Sequence, residues 1–67
     1  MTEIKMTVAM LCAYKGWSNE RLADEAKIDR NHLNAVRNNR ATMTADDLIG
    51  LSDATGIDVR MIATKQN

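Results

Sequence analysis

The chain holds one cysteine and one histidine in 67 residues. A single cysteine cannot close an intramolecular disulfide, and with one histidine it cannot complete a four-ligand zinc site. No metal or other cofactor is therefore expected, and a reducing, cytoplasmic setting follows from the cysteine usage. Long apolar runs are missing too. The longest, Val8 to Ala13, has six residues, about a third of a membrane span, and no charged leader precedes it as in a signal peptide. A soluble, untargeted chain is expected. Net charge is also absent, with nine Lys and Arg against nine Asp and Glu. On its face this disfavours a nucleic-acid partner, whose binding is driven by phosphate neutralisation. Nowhere do apolar and polar residues alternate over five positions, so no strand is expected. There is no glycine-rich phosphate loop and no nucleophile, base and orienting group in sequence, so the chain reads as a non-enzyme.

What is present is an ordinary globular composition, 45% hydrophobic and 27% charged, too apolar and too mixed in charge for disorder. The length allows one domain over 1–67 with one small core, since a chain of about 60 residues buries only about 60% of its unfolded surface. Polar punctuation cuts it into five short apolar-periodic blocks, all helical. Ile4, Val8, Leu11 and Cys12 form one stripe of a first helix ended by Gly16. Ser18 caps a second helix with Leu22, Ala23 and Ala26 inward. Asp29 caps a third, with Leu33 and Val36 buried, stopping at Asn38-Asn39. Thr44 and Asp47 make a capping box for a fourth through Leu48, Ile49, Leu51 and Ala54, closed by Gly56. Asp58 caps a last turn with Val59, Met61 and Ile62, and residues 64–67 are expected to fray.

The third helix is the informative one. At 100° per residue, with Arg30 at zero, Leu33 falls at about 300° and Val36 at about 240°, so the core lies near 270°. Opposite lie Asn31, Asn34 and Asn38, bordered by Arg30 and Arg37 on one side and Ala35 on the other. Asparagine is a poor interior helix residue, and a face chosen only for solubility would hold Glu, Lys or Gln. Asn and Arg are the side chains that pair bidentately with adenine and guanine in the major groove, and Ala meets a thymine methyl. The charge is also polarised. Residues 1–28 are neutral, residues 29–40 carry Arg30, Arg37 and Arg40 against Asp29, and residues 41–67 carry Arg60 and Lys65 against four aspartates. The positive pole falls on the Asn/Arg helix.

With these residues placed, the chain resembles the helix-turn-helix domain of the Xre/Cro family of bacterial and phage transcriptional regulators. The likeness runs from about Ile4 to Ile62. Trp17-Ser18-Asn19-Glu20-Arg21-Leu22-Ala23 stands at the family's Leu-Thr-Gln-x-x-Leu-Ala segment, Ile28-Asp29-Arg30-Asn31-His32-Leu33 at Val-Ser-x-x-x-Ile, and Leu48 to Ile57 at the tail helix. The resemblance implies a compact all-α, five-helix, lambda-repressor-like bundle with its helix-turn-helix over about 18–38. The third helix would enter the major groove of a pseudo-palindromic operator bound as a homodimer, which makes the chain a repressor-like regulator. By position, Arg30, Asn31 and Ala35 would read bases, and the periodicity adds Asn34. Asn19, Asn38 and Arg40 would meet phosphates. Three residues depart from the pattern: Lys27 and Asn39 replace usual glycines, and Arg37 replaces a Glu that faces a first-helix Arg, here Cys12.

The remaining residues have plainer readings. Arg37 either meets DNA or forms an ion pair with Glu20 or Asp24. His32 lies off the groove face and is expected to pack on the second helix. Cys12 and Trp17 are expected in the core; Met6, Met10, Met43 and Met61 fill gaps or a dimer surface. Val59, Met61 and Ile62 are the expected dimer surface. The acidic final third also suits a different role, an antitoxin-like or anti-regulator module that docks a basic protein partner.

Overall fold

The structure, a computed structural model, describes residues 5–66. It has four α-helices, α1 (Val8–Lys15), α2 (Asn19–Ala26), α3 (Arg30–Arg37) and α4 (Ala45–Thr55), followed by a 3-10 turn at Val59–Met61. The expected fifth helix is thus a single 3-10 turn. None of the described helices is long and apolar enough to cross a membrane.

Each α-helix starts where a side-chain oxygen replaces the missing intrahelical acceptor. Thr7, Ser18, Asp29 and Thr44 are the four N-caps. At Thr44 the capping box is complete, with Asp47 N–H donating to Thr44 Oγ1 and Thr44 N–H to Asp47 Oδ2. Three helices close with a Schellman pair of bonds around a left-handed residue. Gly16 closes α1 with φ 69°, Lys27 closes α2 with φ 59° and Asn39 closes α3 with φ 60°. At Lys27 the bonds are Lys27 N–H to Asp24 C=O, 3.2 Å, and Ile28 N–H to Ala23 C=O, 2.9 Å. The chain therefore closes α2 with lysine in a conformation that costs a non-glycine residue about 1–2 kcal/mol.

Leu11, Leu22, Leu33 and Leu51, one from each α-helix, are fully buried and meet in the centre, with Val8, Val36 and Ile62 around them. α2 packs chiefly on α4 and then on α3. The approach of α2 to α4 is close because residue 50 is glycine: a Cβ there would stand 2.5 Å from the Ala26 carbonyl oxygen. The Cα radius of gyration, 10.6 Å, is near the value of about 11 Å for a globular chain of this length.

Four sequence expectations are corrected here. The first helix begins at Val8, after the Thr7 cap, and Met6 instead forms an isolated parallel bridge with Ile62; Ile4 lies outside the described residues. Ile49 is 54% exposed, whereas Thr55 is buried, its hydroxyl donating to the Leu51 carbonyl at 2.7 Å. Residues up to Gln66 are tied down: Gln66 Oε1 accepts the Val8 N–H at 2.6 Å, and its own N–H donates to Asn39 Oδ1. Ile62 is 2% exposed, so it belongs to the core and not to an outer surface.

Candidate nucleic-acid interface

α3 is an eight-residue helix, too short to persist alone, so its orientation depends on what fixes its two ends and its inner face. Asp29 Oδ1 accepts the N–H groups of Asn31 and His32 at 2.9 and 3.1 Å. Leu33 and Val36 are buried beneath it. Beyond its last turn, Asn39 N–H donates to Val36 C=O and Arg40 N–H to Ala35 C=O.

A cross-helix contact holds the first turn. His32 Nε2 donates to Asp47 Oδ2 at 2.8 Å, so the His32 ring is held against the first turn of α4, a partner that the sequence reading did not name. The same carboxylate oxygen completes the Thr44 capping box. Burial pushes the Asp47 carboxyl up, but hydrogen bonds from Thr44 and the His32 ring outweigh it and hold the group below the usual carboxylate range. One ionised aspartate thereby caps α4 and anchors α3.

With the inner face fixed, the outer one is exposed as the periodicity predicts. Asn31, Asn34, Arg37 and Asn38 are all exposed, and Ala35 is half-buried at the border. Asn38 Nδ2 donates weakly to Asn34 Oδ1 at 3.5 Å. Asn31, Arg37 and Arg40 have no side-chain hydrogen bond or ion pair among the described residues. The ion pair with Glu20 or Asp24, one of the two alternatives for Arg37, is therefore absent among the described residues. Asp24 instead binds Arg30, whose Nε–H donates to Oδ1 at 3.0 Å. Asn19, the first residue of α2, is half-buried, and its Oδ1 is closed off from solvent without a hydrogen-bond partner.

Cys12 is buried as expected, and burial pushes its thiol up while the nearby Arg37 charge pulls it down. Trp17 is half-buried against the core, with Lys15 Nζ and the Arg21 guanidinium each 5.1 Å from its ring centre. Nothing in the helical periodicity signalled these cation–π contacts, although the Lys-x-Trp spacing places them in reach. Two residues that set the geometry were also not singled out from sequence. Gly50 was visible only as a glycine inside a helical block, and Asp24 only as one possible partner of Arg37.

Away from α3, Val59 and Met61 are 41% and 43% exposed, and Ile49 adds a third exposed apolar side chain. The described residues enclose no pocket, and no three His, Cys, Asp or Glu side chains among them converge on a metal-sized site. No family model, no curated protein and no solved structure matches the chain.

Proposed function

We propose that the protein is a sequence-specific DNA-binding regulator of helix-turn-helix type. In this reading α2, the Lys27–Asp29 connector and α3 form the helix-turn-helix of a lambda-repressor-like bundle whose fifth element is reduced to a 3-10 turn. α3 enters the major groove and α2 lies across the backbone. The observation that carries the reading is the outer face of α3, where Asn31 and Arg37 are exposed without internal partners on a helix fixed at both ends. A polar face that serves folding alone gains nothing from three asparagines, each costing several tenths of a kcal/mol relative to Ala. A face that reads adenine and guanine edges needs them.

The roles follow from position. Arg30, Asn31, Asn34 and Ala35 face bases; Asn19, Asn38 and Arg40 face phosphates; Arg37 can reach either. Val59 and Met61, without Ile62, supply the apolar surface on which two copies pair over a pseudo-palindromic operator, and occupancy of that operator represses. The zero net charge makes non-specific attraction weak, so discrimination leans on base contacts and symmetry.

The test is a selection of duplexes from a random pool, followed by titration of the winner against random DNA at several salt concentrations. A palindromic consensus, an affinity gap of about 10³ or more and a negative log–log salt slope are expected. Undetectable or salt-independent binding refutes the reading. A second reading, a module that docks a basic protein partner, is favoured by the exposed Ile49, Val59 and Met61 beside the exposed Asp46 and Asp53. It predicts capture of a basic protein from nuclease-treated cytosol by the wild type and not by a variant with Asp46 and Asp53 changed to Asn.

A further inference from the structure

Arg30 is the first residue of α3, and Asp24 lies in the last turn of α2. Each charge stands at the helix end that repels it, because helix N-termini are electropositive and C-termini electronegative. Locally unfavourable choices of this kind concentrate at functional positions. The two side chains meet edge to edge, Arg30 Nε–H donating to Asp24 Oδ1 and Nη2–H to Oδ2. They remain 60% and 55% exposed, a setting in which an ion pair adds little to stability. The hydrogen bonds lower the Asp24 carboxyl and raise the Arg30 guanidinium, so both stay charged near neutral pH.

A guanidinium has five N–H donors on one rigid plane. Asp24 takes one from Nε and one from Nη2. Both hydrogens of Nη1 and the second of Nη2 remain, and one from each nitrogen forms the neighbouring end-on edge, a two-pronged fork that matches O6 and N7 of guanine. Arg30 can therefore be gripped by Asp24 and pair with guanine at the same time. An ungripped arginine here would also reach phosphates, which carry no sequence information.

Building on the DNA-binding reading, we propose that Asp24 is a positioning residue that sets Arg30 edge-on for guanine and, by offsetting its charge, suppresses binding to unselected DNA. Asp24 touches no base. It turns a flexible cation into a fixed, electrically compensated reader.

The full chain is titrated with its selected operator, with the same duplex carrying adenine at the guanine whose preference Arg30→Ala abolishes, and with random DNA over a range of salt. A bidentate arginine contact corresponds to a guanine preference of roughly five- to a hundredfold in the wild type. Asp24→Asn keeps the shape and removes the charge; Asp24→Ala removes the grip entirely. Both are expected to lower the guanine preference severalfold while tightening binding to random DNA, whose log–log salt slope steepens by about 0.9. In the Arg30→Ala background the same substitutions leave base preference unchanged. A wild-type guanine preference that survives Asp24→Ala, or an operator in which Arg30→Ala abolishes the preference at no guanine, overturns the proposal and leaves the DNA-binding reading standing. A wild type that selects no duplex overturns both.

Discussion

Replacing Gly50 by alanine sets two effects of opposite sign against each other. In an exposed helix interior, Gly→Ala stabilises by about 1 kcal/mol, because alanine loses less backbone entropy. Gly50 is in mid-α4, and the added methyl would meet the Ala26 carbonyl oxygen at 2.5 Å, where ordinary contacts begin at 3.4 Å. Relieving the overlap takes a shift of about 0.9 Å between α2 and α4. The atom in the way is backbone and cannot rotate aside. Ala26 is also the last residue of α2, so a displaced carbonyl carries with it the Schellman closure at Lys27 and the start of α3. Overpacking of this kind costs about 1–3 kcal/mol and sometimes more. With the propensity gain of about 1 kcal/mol subtracted, a net loss of about 0–2 kcal/mol is expected, with a fall in Tm of up to about 15 °C for a domain of this size. Urea unfolding followed by Trp17 fluorescence and by circular dichroism measures it. A Gly50→Ala protein more stable than wild type would refute the close α2–α4 approach, since only the propensity effect would then be acting.

Lys27→Gly relieves the left-handed strain at φ 59° but loosens the unfolded chain; a net gain of about 0.5–1 kcal/mol in urea unfolding is expected, and a loss would show that the lysine side chain holds the turn. The Asp47 carboxyl is held below its unfolded value. Its contribution is therefore complete above the unfolded pKa of about 3.9 and disappears as pH falls through the lower folded value. Wild type should consequently lose stability more steeply than Asp47→Asn as pH falls below about 4, and parallel stability curves would contradict the anchoring role. On DNA, Asn31→Ala should relax preference at one base pair by about 1–3 kcal/mol. Arg40→Ala should weaken all sequences alike and flatten the salt slope by about 0.9. Identical behaviour of the two would overturn their separate roles.

The helix boundaries at Ser18, Asp29 and Thr44 were legible because capping joins residues two or three apart, and composition alone records that chemistry. The same holds for the outward asparagines of α3: once Leu33 and Val36 are inside, helical geometry leaves Asn31 and Asn34 no other side. Lys27 was a legible anomaly, a lysine where the resembling family has glycine, although its φ was not. Other features depended on residues far apart in the chain. Thr7 ends the N-terminal apolar stripe of α1 because Met6 has a backbone partner at Ile62, and the tail is ordered because the Gln66 amide caps a helix that begins 58 residues earlier. Ile49 is exposed and Thr55 buried since packing against the rest of the bundle, not hydropathy, selects the buried side of α4. Likewise Asp24, Asp47 and Gly50 are unremarkable as letters. They acquire meaning when α2 and α4 come close enough for one carboxylate to grip Arg30, another to hold His32, and a missing Cβ to set the spacing. Local hydrogen bonding and helical period are written residue by residue; burial, ion-pair choice and helix spacing exist only once distant segments share a core.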